Sequence, residues 1–276
     1  MPVLKITAII IASWLAPNSA IAYSALQNQE LIDKSGLAAT LKELPGAMQS
    51  SVGAMRQQGM QIDQKFEKAW TDAARTAFGP EQSLAIIDQG LQKLLTPEDK
   101  AALLQHYNSP LGRRISALEV KAAQPGEQAK AQAYAQTLLA DPGKNADRLA
   151  LYRAIDKASG ATATVTNISI NIATAMTTGM ASATPGPKVD TGAIRAQIEK
   201  QRSAMSQKLA AATLASMAYT YRDLSAQDLT AYLAFLNSPA GKTLNAGVGT
   251  LLNQALALQS EDFGRQLAKN LGRKGV

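Results

Sequence analysis

The sequence predicts an all-α protein, two tandem helical units packed helix on helix. Three observations carry that reading. Ala, Leu, Gln, Met and Lys dominate while aromatics make up 5%, a mixture of residues that lose little side-chain freedom in a helix. Apolar residues recur three and four apart along most of the chain, and no stretch sustains two-residue alternation between turn signals. Finally, one phrase occurs twice at a constant offset of 129 residues.

In chain order, the first 22 residues stand apart. Lys5, an apolar run from Ile6 to Ala16 and the small-x-small triplet Ala20-Ile21-Ala22 read as a secretory signal cleaved after Ala22. The run is shorter than the roughly 20 apolar residues a membrane span needs, and no later stretch is better, so no transmembrane segment is expected in the mature chain. The sequence has no cysteine. Disulfides, thiolate metal sites and thiol catalysis are therefore excluded, and burial alone must hold the exported fold.

Leu37, Leu41, Leu44, Met48, Val52 and Met55 form one helical stripe. Ile62, Phe66, Trp70, Ala73 and Ala77 form a second, and a third, Leu84, Ile87, Leu91 and Leu94, follows a Gly79-Pro80 break. The repeated phrase comes next. Leu95-Thr96-Pro97-Glu98-Asp99, seven residues and Tyr107-Asn108-Ser109-Pro110-Leu111-Gly112-Arg113 are answered by Leu224-Ser225-Ala226-Gln227-Asp228, seven residues and Leu236-Asn237-Ser238-Pro239-Ala240-Gly241-Lys242. Thr96 and Ser225 are N-cap hydroxyls with Asp99 or Asp228 three residues on, so each pair can close a capping box. Pro97 suits the first helical turn. Asn-Ser-Pro then disfavours further helix while its serine caps a new one, which makes the phrase a helix-corner-helix. Gly112 and Gly241 fall in the first turn after the corner, where a missing side chain lets another backbone approach closely.

In the second half, Ile155-Asp156-Lys157-Ala158-Ser159-Gly160 echoes Ile32-Asp33-Lys34-Ser35-Gly36. Val165, Ile168, Ile172, Met176 and Met180 form a stripe on a stretch, 158 to 187, that has no charged residue. Its Thr-rich run from Thr162 to Thr174 carries β-propensity that opposes the helix. From Ala193 to Tyr221 no proline intervenes, and one long helix is expected. Ser260 is expected to cap a last helix at Glu261-Asp262, with Phe263, Leu267 and Leu271 on one face and Arg265, Lys269 and Arg273 about 200° away. Asp141-Pro142-Gly143 marks a joint between units at 23–140 and 141–276, and Thr184-Pro185-Gly186-Pro187 marks a stiff loop. Residues 23–140 hold 12 basic and 12 acidic residues, and 141–276 hold 15 and 9, so any anionic partner should meet the second half.

The cap and corner resemble the bacterial domain-of-unknown-function 2059 family. The matching positions are Leu95, Asp99, Tyr107, Ser109, Pro110, Gly112 and Arg113, and more loosely Leu224, Asp228, Phe235, Ser238, Pro239, Gly241 and Lys242. The resemblance covers about 40 residues in each unit. It implies an all-α fold and a periplasmic or secreted location, and it supplies no activity.

Catalytic sets are thin. His106 is the only histidine, and at offset 129 it aligns with Phe235, so a structural or surface role is expected. Gly-x-Ser-x-Gly and His-Glu-x-x-His patterns are absent, and neither a metal nor a cofactor is expected. Glu98-Asp99 could serve a cell-wall hydrolase, but acids belong at a capped helix start. Ser109 and Ser238 read as caps rather than nucleophiles. Ile168, Ile172, Met176 and Met180 either belong to a helix buried between others or line an adaptable apolar groove. Arg265, Lys269 and Arg273 are a solvated face or a contact for anionic lipid. The reading is an exported binding or interaction module without catalytic activity, with an envelope protein or lipid as partner and no nucleic acid. Its alternatives are a lipid-handling protein and, more remotely, the hydrolase.

Overall fold

The computed structural model describes residues 16–57, 59, 61–124, 126–139, 143, 145–182 and 190–272, with the side chains of 16–24, 54, 57, 128, 139 and 180–182 left out. Among these residues every regular element is a helix, from α1 to α13, and no strand occurs. The first half runs α1 (Ala16–Lys34), α2 (Leu37–Gln57), α3 (Gln64–Ala77), α4 (Pro80–Leu94), α5 (Pro97–Asn108), α6 (Pro110–Ala122) and α7 (Glu127–Leu139). The second runs α8 (Ala146–Ser159), α9 (Ala161–Ser182), α10 (Thr191–Glu199), α11 (Arg202–Thr220), α12 (Ala226–Asn237) and α13 (Pro239–Gly272). Most of the signal pattern, most of the Asp141-Pro142-Gly143 joint and the Thr184–Pro187 loop lie outside the described residues.

Both phrases build the same corner. Asp99 N–H donates to Thr96 Oγ1 at 3.1 Å while Thr96 N–H donates to Asp99 Oδ2 at 3.2 Å, and Ser225 with Asp228 repeats this at 3.0 and 3.1 Å. Pro97 sits at the start of α5, where its lost donor has no cost. Ser109 ends α5 and caps α6 by accepting from Gly112 N–H at 3.0 Å, and Ser238 accepts from Gly241 N–H at 3.1 Å. Pro110 and Pro239 open the following helices. The upstream echo is structural too: Gly36 and Gly160, at φ 75° and 66°, turn the chain at the ends of α1 and α8.

The helix after each corner crosses to the other half. Ile115 on α6 and Leu244 on α13 are equivalent at offset 129. Ile115 packs in a core built from Leu149, Tyr152 and Ile155 of α8 with Ala218, Leu229, Tyr232 and Leu236. Leu244 packs in a core of Leu31, Ile32, Leu41, Ile87, Leu91, Leu95 and Leu103. A third cluster joins Trp70, Ala73 and Phe78 to Phe263 and Leu267, with Trp70 edge-on to Phe263 at 4.7 Å. Residue 140 therefore divides the chain but not its cores.

Two expected elements take another form. The segment from Ala193 to Tyr221 is not one helix, because it breaks at Lys200-Gln201 between α10 and α11. Glu199 accepts from both Arg202 Nε, at 2.6 Å, and Nη2, at 2.9 Å, while Arg202 Nη1 reaches Asn167 on α9 at 2.7 Å. That fork holds the turn and lets both helices lie on α9. Ser260 caps nothing, since α13 runs unbroken from Pro239 to Gly272 and Ser260 is buried in its middle. Helix packing on both sides outweighs the local capping preference of a serine.

The charge-free α9 lies along α13, its most extensive neighbour. Small residues permit the approach: a Cβ on Gly179 would stand 2.2 Å from the Glu261 carbonyl oxygen. The β-propensity of the Thr run is overridden. Thr166 and Thr174 turn their hydroxyls onto the carbonyls of Thr162 and Ile170, at 2.7 and 2.8 Å, and remain buried without loose donors.

Candidate functional site

A cleft of about 650 Å³ opens among the described residues. Ala47, Ser50 and Ser51 of α2 form one wall, Ala212, Ala215 and Ser216 of α11 another. Ala122, Ala123 and Ala131 close it along the α6–α7 turn, and Val165 of α9, 36% exposed, faces into it. Alternating small residues on amphipathic helices account for its shape, because Ala and Ser leave space between helix axes that Leu would fill. Polar groups gather at Tyr219. Its hydroxyl donates to Glu127 Oε2 at 2.7 Å, Lys130 Nζ donates to Glu127 Oε1 at 2.5 Å, and Arg222 lies over the Tyr219 ring at 4.1 Å. The Lys130 and Tyr219 hydrogen bonds hold the Glu127 carboxyl below its usual range.

The residues singled out from the sequence fall in several places. Ser109, Ser238, Asp99 and Asp228 are engaged in caps, and Arg113 donates back to the Asn108 carbonyl at the end of α5. Arg114 crosses to the second corner, donating to the Asp223 carbonyl at 2.6 Å with Asp228 at 3.6 Å. Capping by Ser225 holds the Asp228 carboxyl low, with Arg114 adding to it. Ile168 lines a hollow of about 300 Å³ with Val248 and Leu252, whereas Met176 packs on the Trp70–Phe263 cluster. Ile172 is half-buried on the same helix, and the Met180 side chain lies outside the described residues. Arg265 is paired with Glu261 at 2.6 Å and Asp262 at 3.3 Å, Lys269 is exposed, and Arg273 lies outside the described residues.

His106 stacks on Phe235, its own equivalent, with ring centroids 3.4 Å apart and planes 4° apart. Two equivalent positions in face-to-face contact put an approximate two-fold relation between the corners. Burial lowers the His106 pKa to about 4. The folded state thus favours the neutral ring, and its stabilisation is complete above the unfolded value near 6.5 and is lost as pH falls through that value towards 4. Changing His106 to Phe is expected to keep the stack and to remove about 1 kcal/mol, after discount for partial exposure, of the stability lost between pH 7 and 4. Urea melts of both proteins at the two pH values would reveal it; equal losses would refute a titrating His106.

One group of polar residues escaped the sequence reading. Glu119 on α6 accepts from the Tyr221 and Tyr232 hydroxyls at 2.6 and 2.9 Å, both at Oε1. Its signal was its register, since a carboxylate four residues after buried Ile115 falls on the apolar face, at the position where the second phrase has Val248. Among the described residues, no group of three or more His, Asp and Glu is placed to hold a metal ion, and no helix is long and apolar enough to cross a membrane.

Fold and site together define an all-α protein of helix-corner-helix elements around a small-residue cleft. Residues 85–141, from α4 through α7, match the family described as "Uncharacterized protein conserved in bacteria (DUF2059)", and the chain carries that family's region. The first phrase lies wholly within the match. No curated protein and no solved structure matches the chain.

Proposed function

We propose that the protein is exported and acts as a helical binding module with no chemistry of its own, its recognition surface being the cleft between α2, α7, α9 and α11. The observation that carries the proposal is that cleft: about 650 Å³, walled by alanines with Val165 facing inward. Such a volume falls in the range of ligand sites, about 300 to 1,000 Å³, and an Ala and Val lining favours an apolar occupant. Export is supported by the Lys5 to Ala22 pattern. The use of Asp99, Asp228, Ser109 and Ser238 as caps weighs against hydrolysis, because these groups already satisfy helix ends.

Lipid handling is the second reading, favoured by the scale of the cleft. One turn of a helix about 10–12 Å across and 5.4 Å long fills roughly 400–600 Å³, so a single apolar chain is a better fit than a long partner helix. The test compares wild type with Ala212→Trp, which adds bulk at an exposed cleft position. Titration with anilinonaphthalene sulfonate should give at least ten-fold weaker binding to the variant at unchanged melting temperature. Mass spectrometry of organic extracts from both proteins then separates a lipid occupant from a protein one. Equal dye binding by the two proteins would end the cleft proposal.

A further inference from the structure

Val165 belongs to two hollows. It faces the α2–α11 cleft, and it also lines the hollow of about 300 Å³ whose apolar walls are Ala161 and Ile168 of α9 with Val248 and Leu252 of α13. Helix α9 packs on both α11 and α13, and Val165, 36% exposed, is the side chain the two hollows share. Its place along the cleft is fixed by a neighbour. Arg202, at the start of α11, bonds Asn167 two residues from Val165, whereas Tyr219 lies near the far end of α11. The cleft lining on α11 runs from Leu209 to Tyr219, about 15 Å at 1.5 Å per residue. Crossing from there over α9 towards α13 adds about one helix spacing, 8–10 Å. An extended chain of single bonds covers about 3.5 Å per three bonds, so the cleft alone matches about 13 bonds and the whole path about 20.

The Tyr219 end is charged. Lys130 is paired with Glu127 at 2.5 Å and Arg222 faces Asp223 at 3.6 Å. Lys121, exposed on α6 next to the lining residue Ala122, makes no ion pair among the described residues. After the Lys130 and Tyr219 hydrogen bonds, its charge also holds the Glu127 carboxyl low, which puts it at this end of the cleft. One positive charge is therefore left over there. The lining's acid, Glu43, is exposed on α2, where water and salt screen it.

We propose that the two hollows form one track for a long-chain fatty acid, with its carboxylate beside Lys121 and its tail running along α11, past Val165 and into the hollow between α9 and α13. This rests on the cleft as the recognition surface and names the ligand class it takes. A single unbranched chain suits a path that is long, narrow and apolar, and its burial would cover the surface that Val165 leaves in water.

The test is calorimetric titration of the full chain with octanoate, dodecanoate, hexadecanoate and dodecan-1-ol. From octanoate to dodecanoate binding should tighten by up to about four-fold per added methylene, and hexadecanoate should bind at least ten-fold more tightly again. Ile168→Trp fills the second hollow without touching the cleft lining. It should keep the affinity for octanoate and dodecanoate and lose the hexadecanoate gain. Val165→Trp, at an exposed position, should lose that gain too and serves if the first variant folds poorly. Lys121→Gln should weaken dodecanoate several-fold and leave dodecan-1-ol unchanged. A hexadecanoate gain that survives tryptophan at 168 or 165, or dodecan-1-ol bound as tightly as dodecanoate, would overturn the inference and leave the cleft to its own dye test. No binding of any of the four probes would overturn it as well, and with equal dye binding by Ala212→Trp the cleft reading would fall with it.

Discussion

Replacing Gly112 by alanine is expected to destabilise the fold by about 3 kcal/mol or more, and Gly241→Ala by a similar amount. The cause is backbone against backbone. A Cβ on Gly112 would stand 2.0 Å from the His106 carbonyl oxygen and 3.0 Å from the Tyr107 Cα, and one on Gly241 would stand 2.2 Å from the Phe235 carbonyl oxygen. Neither neighbour is the far end of a flexible side chain. Relief requires opening the corner, which would pull Ser109 or Ser238 from its cap and separate His106 from Phe235. Alanine's better helix propensity returns only about 1 kcal/mol, so the clash wins. Gly53→Ala is the matched control: on α2, its Cβ would meet nothing within 4 Å, and it should stabilise by up to about 1 kcal/mol. Urea melts of the three variants measure the differences. A Gly112→Ala protein as stable as wild type would show that the corner is not rigid.

The second large effect concerns the whole molecule. Expressed separately, residues 23–139 and 146–276 are each expected to lack a cooperative thermal transition as monomers, and mixing them should restore one. The first piece lacks Ala240 and Leu244, which complete the Leu31–Leu103 core, and Phe263, which is fully buried among Trp70 and Phe78. The second lacks Ile115, and with it Glu119, whose carboxylate anchors Tyr221 and Tyr232. Loss of a single buried Phe costs about 3–5 kcal/mol, comparable to the margin by which a domain is stable. Either piece could also pair with itself through the vacant side of its exchanged helix. Light scattering together with circular dichroism distinguishes these outcomes, and two pieces that each melt cooperatively as monomers would refute the shared-core description.

The corners were legible because each depends on interactions within about a dozen residues. Thr96 with Asp99, Ser225 with Asp228, and Ser109 or Ser238 before proline use side chains to satisfy the free backbone groups of a helix end, and that chemistry follows from sequence order alone. Gly79-Pro80 and the stripe of α2 were readable on the same ground. Ser260 and the Lys200-Gln201 break misled in opposite directions. A serine before two acids is a local cap signal that packing overruled in α13, and the fork from Arg202 to Glu199 holds a break that no proline announces.

By itself, then, the sequence determined helicity, the two corners and the close approach at Gly112 and Gly241. Tertiary structure alone decided that α6 and α13 change places, that small residues of α2, α7 and α11 enclose a cleft, that His106 stacks on Phe235, and that Glu119 takes the hydroxyls of Tyr221 and Tyr232. The division has one physical reason. Caps and turns are satisfied by neighbours along the chain, whereas a cavity is the space left between helices whose partners lie about a hundred residues away, and nothing in local spacing records which of them will meet.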